Sequence, residues 1–227
     1  MHAFAPRLRH CTVLAIVAAS QAFAAGAGAG AALAHTAPSV PAKPQEIVAY
    51  YESGAWNDDV GTVVDHARSA LDGALEAGVG GRPALVLDID DTVLSTYDCL
   101  RERGFERAGG TRCGRRADLP VIEPAVALFE HARERGVAVF FITGRRARDR
   151  RSTAANLDER LGGYEALIMR PDQERPGTHD GYKSRRRRAI ERRGYRIVLN
   201  VGDQLSDLRG GHAEHRFKLP NPMYVIP

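Results

Sequence analysis

Residues 84–95 read ALVLDIDDTVLS, a short apolar run that ends in Asp-Ile-Asp-Asp-Thr. An apolar run of this length is typical of a buried strand. Because side chains alternate along a strand, Asp88, Asp90 and Thr92 are predicted on one side and Asp91 on the other. Buried carboxylates are costly unless they are compensated, and a divalent cation with oxygen ligands would compensate them. The stretch therefore predicts a metal-dependent site at the end of a strand.

The D-x-D-x-T spacing is also found at the start of calcium-binding loops. Such a loop needs glycine at its sixth position and glutamate at its twelfth. These positions hold Val93 and Cys99, so the calcium interpretation fails. An aspartate at a strand end can also serve as a turn or helix-capping residue, and this stretch alone leaves that alternative open.

Three later stretches supply polar residues at the ends of regular elements. Residues 137–146, VAVFFITGRR, and residues 195–207, YRIVLNVGDQLSD, are further apolar strand patterns, and residues 183–193 form a helix-like run. The chemistry-bearing residues in them are Thr143, Gly144, Lys183, Asp203 and Asp207. Ligands bind at the carboxyl ends of parallel strands, and Asp88, Thr143 and Asp203 are predicted to lie there.

Strand patterns alternate with helical patterns along the chain. The predicted strands cover residues 84–89, 137–142, 165–169 and 195–201. The predicted helices cover residues 123–135, 146–160 and 183–193, with two more inside 45–79. This alternation predicts an α/β fold, a doubly wound parallel sheet with helices on both faces. The span 95–122 is a small insertion after the first strand, too short for a large cap domain.

Residues 1–24 are predicted to be a secretory signal peptide, because a basic start precedes a short apolar run and a small-x-small pattern. The apolar run, residues 11–19, is too short to span a bilayer. A second small-x-small pattern leaves cleavage after Ala34 as an alternative to cleavage after Ala24. An anchored or disordered tail is the other interpretation of this segment.

The mature chain is predicted to begin with a flexible linker, residues 25–44, rich in Ala, Gly and Pro. Residues 45–227 are then predicted to form one domain. The formal net charge of +4 falls to +2 when Arg7 and Arg9 are removed. So small a charge argues against a dedicated nucleic-acid binder.

The order of D-x-D-x-T, a strand ending in Thr-Gly, a lysine and G-D-x-x-x-D resembles the haloacid dehalogenase superfamily of phosphotransferases. The stretches VLDIDDT, FFITGR, GYKS, NVGDQLSDL and FKLPNPMY resemble its secreted acid phosphatase branch, which includes plant vegetative storage proteins. The resemblance covers residues 45–227 and implies a Rossmann-like core and a magnesium-dependent phosphomonoester hydrolase. It leaves open a catalytically weak or non-enzymatic storage or binding protein of the same fold.

The resemblance assigns the chemistry to carboxylates. Asp88 is expected to attack phosphorus and form an aspartyl-phosphate, and Asp90 to act first as acid and then as base. Asp88, Asp203 and the backbone carbonyl of Asp90 are expected to hold Mg²⁺.

The remaining roles concern the phosphate. The Thr143 hydroxyl and the Gly144 N–H, at a helix start, are expected to bind the phosphoryl oxygens, and Lys183 to neutralise their charge. Asp207 is expected to orient the metal ligands or Lys183. Thr92 is expected to brace the loop.

The predicted export also bears on whether the two cysteines of the mature chain are oxidised. The protein is predicted to be secreted or periplasmic, where Cys99 and Cys113 would pair as a disulfide, with two free thiols as the alternative. The expected partner is a small-molecule phosphomonoester, with no nucleic acid and no stable membrane insertion after signal cleavage. The physiological substrate and the oligomeric state are left open.

Overall fold

The computed structural model describes residues 42–106, 110–174 and 179–226. The predicted signal peptide and nearly all of the predicted linker lie outside these ranges. None of the helices within them is both long enough and apolar enough to cross a membrane.

A single five-stranded sheet, in which every pairing is parallel, organises the described chain. Its strands are β1 (Arg82–Leu87), β2 (Ala138–Arg146), β3 (Ala166–Arg170), β4 (Tyr195–Gly202) and β5 (His215–Lys218). Their order across the sheet is β3-β2-β1-β4-β5, so β1 is central. The four predicted strands are confirmed, but β5 was missed because its four residues, HRFK, contain only one apolar side chain.

The helices precede β1 or lie between the strands. They are α1 (Pro44–Glu52), α2 (Ala55–Ala77), α3 (Tyr97–Arg101), α4 (Gly110–Cys113), α5 (Glu123–Glu134), α6 (Arg150–Asp158), α7 (His179–Glu191) and α8 (Leu205–Leu208). Alternation along β1 separates two cores: Leu85 and Leu87 pack with α2 and α5, whereas Ala84 and Val86 pack with α7. Helices therefore cover both faces of the sheet, as the doubly wound prediction requires.

Two predicted helix starts are wrong. The helix predicted to open at Lys183 begins at His179, so Lys183 is its fifth residue. The helix predicted from residue 146 begins at Arg150, after a 3₁₀ turn. The second error arises because β2 continues to Arg146, which pairs with Arg170 of β3.

The insertion forms a third, smaller core. Cys99 in α3 and Cys113 in α4 are joined by a disulfide, as predicted. Both pack with Ile47 of α1 and with Met223, near the C-terminus. The insertion, α1 and the C-terminal segment therefore support one another at the edge of the sheet.

Candidate active site

Six of the predicted site residues meet at the carboxyl edge of the sheet: Asp88, Asp90, Gly144, Lys183, Asp203 and Asp207. Asp88 directly follows β1, Gly144 lies in the last part of β2, and Asp203 directly follows β4. Together with Lys183 of α7 they line a cavity of about 590 Å³. The sheet topology thus brings together residues that are more than a hundred positions apart in sequence.

The chain turns sharply after β1. The strand ends at Leu87, two residues earlier than predicted, and the Ile89 carbonyl accepts N–H groups from Val93 and Leu94, both at 3.0 Å. Asp91 has a φ of 53°, in the left-handed region that few non-glycine residues adopt. This turn, and not strand alternation, separates the direction of Asp91 from that of its neighbours.

Asp91 had no predicted role, and it contacts two residues of the cavity lining without lining the cavity itself. Its buried carboxylate accepts the Thr96 N–H at 2.8 Å, the Thr96 hydroxyl at 2.6 Å and the Tyr224 hydroxyl at 2.6 Å. Burial raises the pKa of Asp91 to about 6, although these three donors act in the opposite direction. Asp91 therefore ties the insertion and the C-terminal segment to the turn.

Lys183 bridges two carboxylates. Its Nζ lies 2.5 Å from Oδ1 of Asp88 and 2.5 Å from Oδ1 of Asp207, and all three side chains are buried. Burial alone would lower the pKa of Lys183, but Asp207 and Asp88 raise it above its ordinary value. Burial raises the pKa of Asp88 to about 7, although Lys183 acts in the opposite direction. Lys183 is therefore a charged ammonium beside the predicted nucleophile.

Three carboxylates form what we call the carboxylate cluster: Asp88, Asp203 and Asp207. Each offers an oxygen, and these oxygens lie within 4.8 Å of one another. Burial raises the pKa of Asp203 well above its ordinary value, and the charges of Asp207 and Asp88 raise it further. One ammonium, that of Lys183, contacts two of these three carboxylates, so ionisation of all three leaves an excess of buried negative charge. Hard oxygen donors with such an excess fit a divalent cation.

This cluster differs in part from the predicted metal site. It contains Asp88 and Asp203, which were predicted as ligands, and it adds Asp207, which contacts Lys183. The roles of these residues stay predictions. The side chain of Asp90 is bonded elsewhere. The proposed ligand from Asp90 is its backbone carbonyl, and that assignment stays a prediction.

Asp90 pairs with an arginine that sequence reasoning did not place beside it. Arg145 donates to Oδ1 of Asp90 at 2.7 Å through Nη2 and to Oδ2 at 3.1 Å through Nε. A further bond of 3.1 Å from Arg145 to the Thr153 hydroxyl holds the guanidinium in place. Oδ2 of Asp90 accepts only the bond from Nε, so it keeps a lone-pair site at which a proton could be carried.

Thr143 and Gly144 lie within β2. Their predicted position at a helix start is wrong, because the next helical turn begins only at Ala147. The buried Thr143 hydroxyl oxygen accepts the backbone N–H of Arg145 at 3.1 Å, which leaves its hydrogen free to donate. The phosphate-binding role of this pair must therefore rest on individual donors rather than on a helix dipole.

Thr92 links the two central strand ends. Its hydroxyl donates to Oδ1 of Asp203 at 3.3 Å, across 111 positions of sequence. This contact joins the turn after β1 to the end of β4, and the bracing role expected for Thr92 stays a prediction.

Beyond the carboxylates, the cavity has an apolar and a basic side. The apolar side, which we call the outer wall, consists of Leu100, Phe105, Met223, Tyr224, Val225 and Ile226. The basic side contains Arg115, Arg145, Arg146, Arg148 and Arg170. A cavity with this lining can hold an anion that carries an organic group.

Comparison with known families gives one match over almost the whole chain. The profile described as HAD superfamily, subfamily IIIB (Acid phosphatase), matches residues 9–227. Acid phosphatase 1 of Solanum lycopersicum is 34 % identical over 160 residues, which cover 67 % of this chain and 63 % of that protein. The stem 28 kDa glycoprotein of Glycine max is 34 % identical over 165 residues, which cover 67 % of this chain and 64 % of the relative. The chain therefore spans less than two thirds of the length of these relatives.

A solved structure shares the fold. The class C acid phosphatase of Bacillus anthracis superimposes with a TM-score of 0.66 and 21 % sequence identity, covering 80 % of this chain and 86 % of that one. At this identity the similarity establishes the α/β fold with its parallel sheet and flanking helices.

Proposed function

We propose that this chain, which belongs to subfamily IIIB of the HAD superfamily, the acid phosphatases, is a magnesium-dependent hydrolase of small phosphomonoesters. The observation that carries the proposal is the contact of the buried Lys183 with Asp88 and Asp207 beside Asp203. A nucleophilic carboxylate, a fixed cation and further carboxylate ligands are what phosphoryl transfer to an aspartate requires.

The first step forms an aspartyl-phosphate on Asp88. Lys183 occupies Oδ1 of Asp88, so we assign the attack on phosphorus to Oδ2. As the new O–P bond forms, the ester O–P bond breaks, and the leaving oxygen takes a proton from Asp90. Asp90 must then be protonated in the bound complex, and we assign the proton to Oδ2, the oxygen that accepts a single bond from Arg145.

The second step regenerates the enzyme. Asp90, now ionised, accepts a proton from a water molecule, whose oxygen bonds to phosphorus as the bond to Asp88 breaks. The products are inorganic phosphate and the free Asp88 carboxylate. Asp90 thus serves as acid and then as base, and the proton that it takes from water returns it to its starting form.

In both steps the phosphoryl oxygens need a positive charge and hydrogen-bond donors close to them. Lys183 supplies a charge, and the Thr143 hydroxyl and the Gly144 N–H supply neutral donors. Mg²⁺ held by Asp88, Asp203 and the Asp90 carbonyl would offset the charge of an anion approaching an anionic nucleophile. The excess negative charge of the carboxylate cluster supports this choice of cofactor.

The protein is proposed to act outside the cytoplasm, in the periplasm or after secretion. The predicted signal peptide in residues 1–24 and the disulfide between Cys99 and Cys113 support this location, because such bonds persist in oxidising compartments. A storage protein without turnover is the alternative function. The presence of Asp88, Asp90 and Lys183 together supports the enzyme.

A panel of phosphomonoesters, assayed across pH with and without Mg²⁺, tests the proposal. We expect phosphate release that is lost on chelation and restored by Mg²⁺. Asp88→Asn should release no phosphate although it stays folded, since an amide oxygen is too weak a nucleophile. Full activity after exhaustive chelation would exclude the cation, and turnover by Asp88→Asn would exclude the nucleophile.

A further inference from the structure

Two side-chain amides hold one oxygen of Asp203. Gln204 donates from Nε2 to Oδ2 of Asp203 at 2.6 Å, and Asn221 donates from Nδ2 to the same oxygen at 2.7 Å. All three side chains are buried. A carboxylate oxygen has about two lone-pair sites, so Oδ2 is saturated. The other oxygen, Oδ1, is therefore the one that remains able to bind a cation.

The oxygen of each amide accepts a backbone N–H from the outer wall. The amide oxygen of Gln204 accepts the N–H of Ile226 at 2.9 Å, and that of Asn221 accepts the N–H of Met223 at 2.8 Å. A backbone N–H can only donate, so it must face the amide oxygen and not the amide nitrogen. The two NH₂ groups are thereby directed at Asp203 by bonds that also anchor the C-terminal segment.

The donors at Asp203 are neutral. Within the described residues they are the Gln204 and Asn221 amides and the Thr92 hydroxyl. A guanidinium or ammonium at this place would compensate the carboxylate charge and compete with a metal ion. Neutral donors fix the direction of the carboxylate and leave its charge available.

We infer that Gln204 and Asn221 are positioning residues for the divalent cation, because they fix the rotation of Asp203 and connect it to the outer wall. The inference rests on the proposed function, from which it takes the cation. Hydrogen-bond partners of metal ligands typically contribute about 10–100-fold to metal affinity. Loss of either amide should therefore weaken the binding of Mg²⁺ even where the fold is intact.

The chain offers a matched control for this test. Asn156 is as buried as Asn221, at 3 % exposure, and its amide also bonds at both ends, to the N–H and the carbonyl of Leu119 at 3.0 and 2.9 Å. It contacts none of the cluster carboxylates through these bonds. Asn156→Ala should thus destabilise the fold as Asn221→Ala does, without moving Asp203.

The experiment measures the Kd of Mg²⁺ by isothermal titration calorimetry on the full chain, with the unfolding temperature of each variant. We expect Asn221→Ala to bind Mg²⁺ about 10–100-fold more weakly than the wild type, and Asn156→Ala to bind it with the wild-type Kd. If Asn221→Ala does not fold, Gln204→Ala is the variant measured, with the same expectation.

Two results would overturn the inference, and only the second would also exclude the proposed cation. A wild-type Kd in the amide variants, with a raised KM for bulky esters, would confine both residues to holding the outer wall. A wild-type chain that binds no Mg²⁺ would remove the proposed cation, and the inference with it.

Discussion

The two sides of the cavity are built by different means. The sheet-edge site, Asp88, Lys183 and the rest of the carboxylate cluster, is set by parallel strand ends and by one ammonium. The outer wall comes from the insertion and the C-terminal segment, which a disulfide, the bonds of Asp91 and two side-chain amides hold in place. Damage to the first should affect every ester, whereas damage to the second should affect stability and the choice of ester.

The largest expected effect comes from a substitution at the sheet edge, and its size should differ between two kinds of ester. Asp90→Asn cannot supply a proton, so turnover of an alkyl phosphate should fall about 10²–10⁴-fold. The kcat/KM of a nitrophenyl ester should fall far less, because its leaving group departs without protonation. The measurement is kcat/KM across esters of graded leaving-group pKa, because kcat also contains the second step, in which Asp90 acts as base for every ester.

A suitable control is Asp149→Asn, which removes a carboxylate from the same cavity, where Asp149 pairs with Arg115 at 3.5 Å. It should leave the leaving-group dependence unchanged. Equal losses for alkyl and nitrophenyl esters in Asp90→Asn would contradict the acid role of Asp90.

Lys183→Ala should lower turnover about 100- to 1000-fold for every ester, since one preorganised charge is lost from the transition state. Lys183→Arg should also be poor, because a planar fork does not fit between Asp88 and Asp207. Arg188→Ala, an exposed position on the same helix, is the control and should be neutral. The measurement is steady-state kinetics on folded variants. Near-normal turnover by Lys183→Ala would contradict the role assigned to Lys183.

Loss of the disulfide should affect the outer wall and spare the chemistry. Its two cysteines are 14 positions apart, and closing a loop of this size contributes about 3 kcal/mol in the chain-entropy model. The double variant Cys99→Ser with Cys113→Ser should lose about this much unfolding free energy in urea and keep most of its kcat for a small ester. A loss of kcat as large as that of Lys183→Ala would show that the two regions are not separable.

The smallest effect concerns a single hydroxyl. Tyr224→Phe removes one of the three donors to Asp91 and should lower the unfolding free energy by about 1.5–3 kcal/mol, as for a bond to a charged group. The control is Tyr51→Phe, because the buried hydroxyl of Tyr51 has no hydrogen-bond partner among the described residues. Urea titration should show a loss for Tyr224→Phe alone; equal stabilities would contradict the role given to Asp91.

The two regions also differ in how far the sequence predicted them. Asp88 and Asp203 could be placed together because parallel strands end at one edge of a sheet. The pairing of Asp90 with Arg145 and that of Asp91 with Tyr224 could not, since they join residues 55 and 133 positions apart through side chains. The contact of Asp91 depends on the course of the C-terminal segment, and that of Asp90 depends on the direction of a long side chain near the end of β2. No periodic pattern encodes either of them.

Helix boundaries illustrate the same limit. The start of α7 at His179 was missed by four residues, because the residues before Lys183 include a glycine and no apolar repeat. The error shifted the helix but not the site, since the contact of Lys183 with Asp88 depends on the position of one side chain. Polar residues at strand ends were therefore more predictable than the elements that carry them.

The central claim is that Asp88 becomes phosphorylated, and trapping that species tests it most directly. The full chain is mixed with a phosphomonoester and Mg²⁺, quenched in acid during turnover and digested for mass spectrometry. We expect the peptide that contains Asp88 to carry the mass of one phosphoryl group, which hydroxylamine removes and which is absent from Asp88→Asn. Turnover with no phosphoryl group on Asp88 at any quench time, or with the group on another residue, would contradict the mechanism.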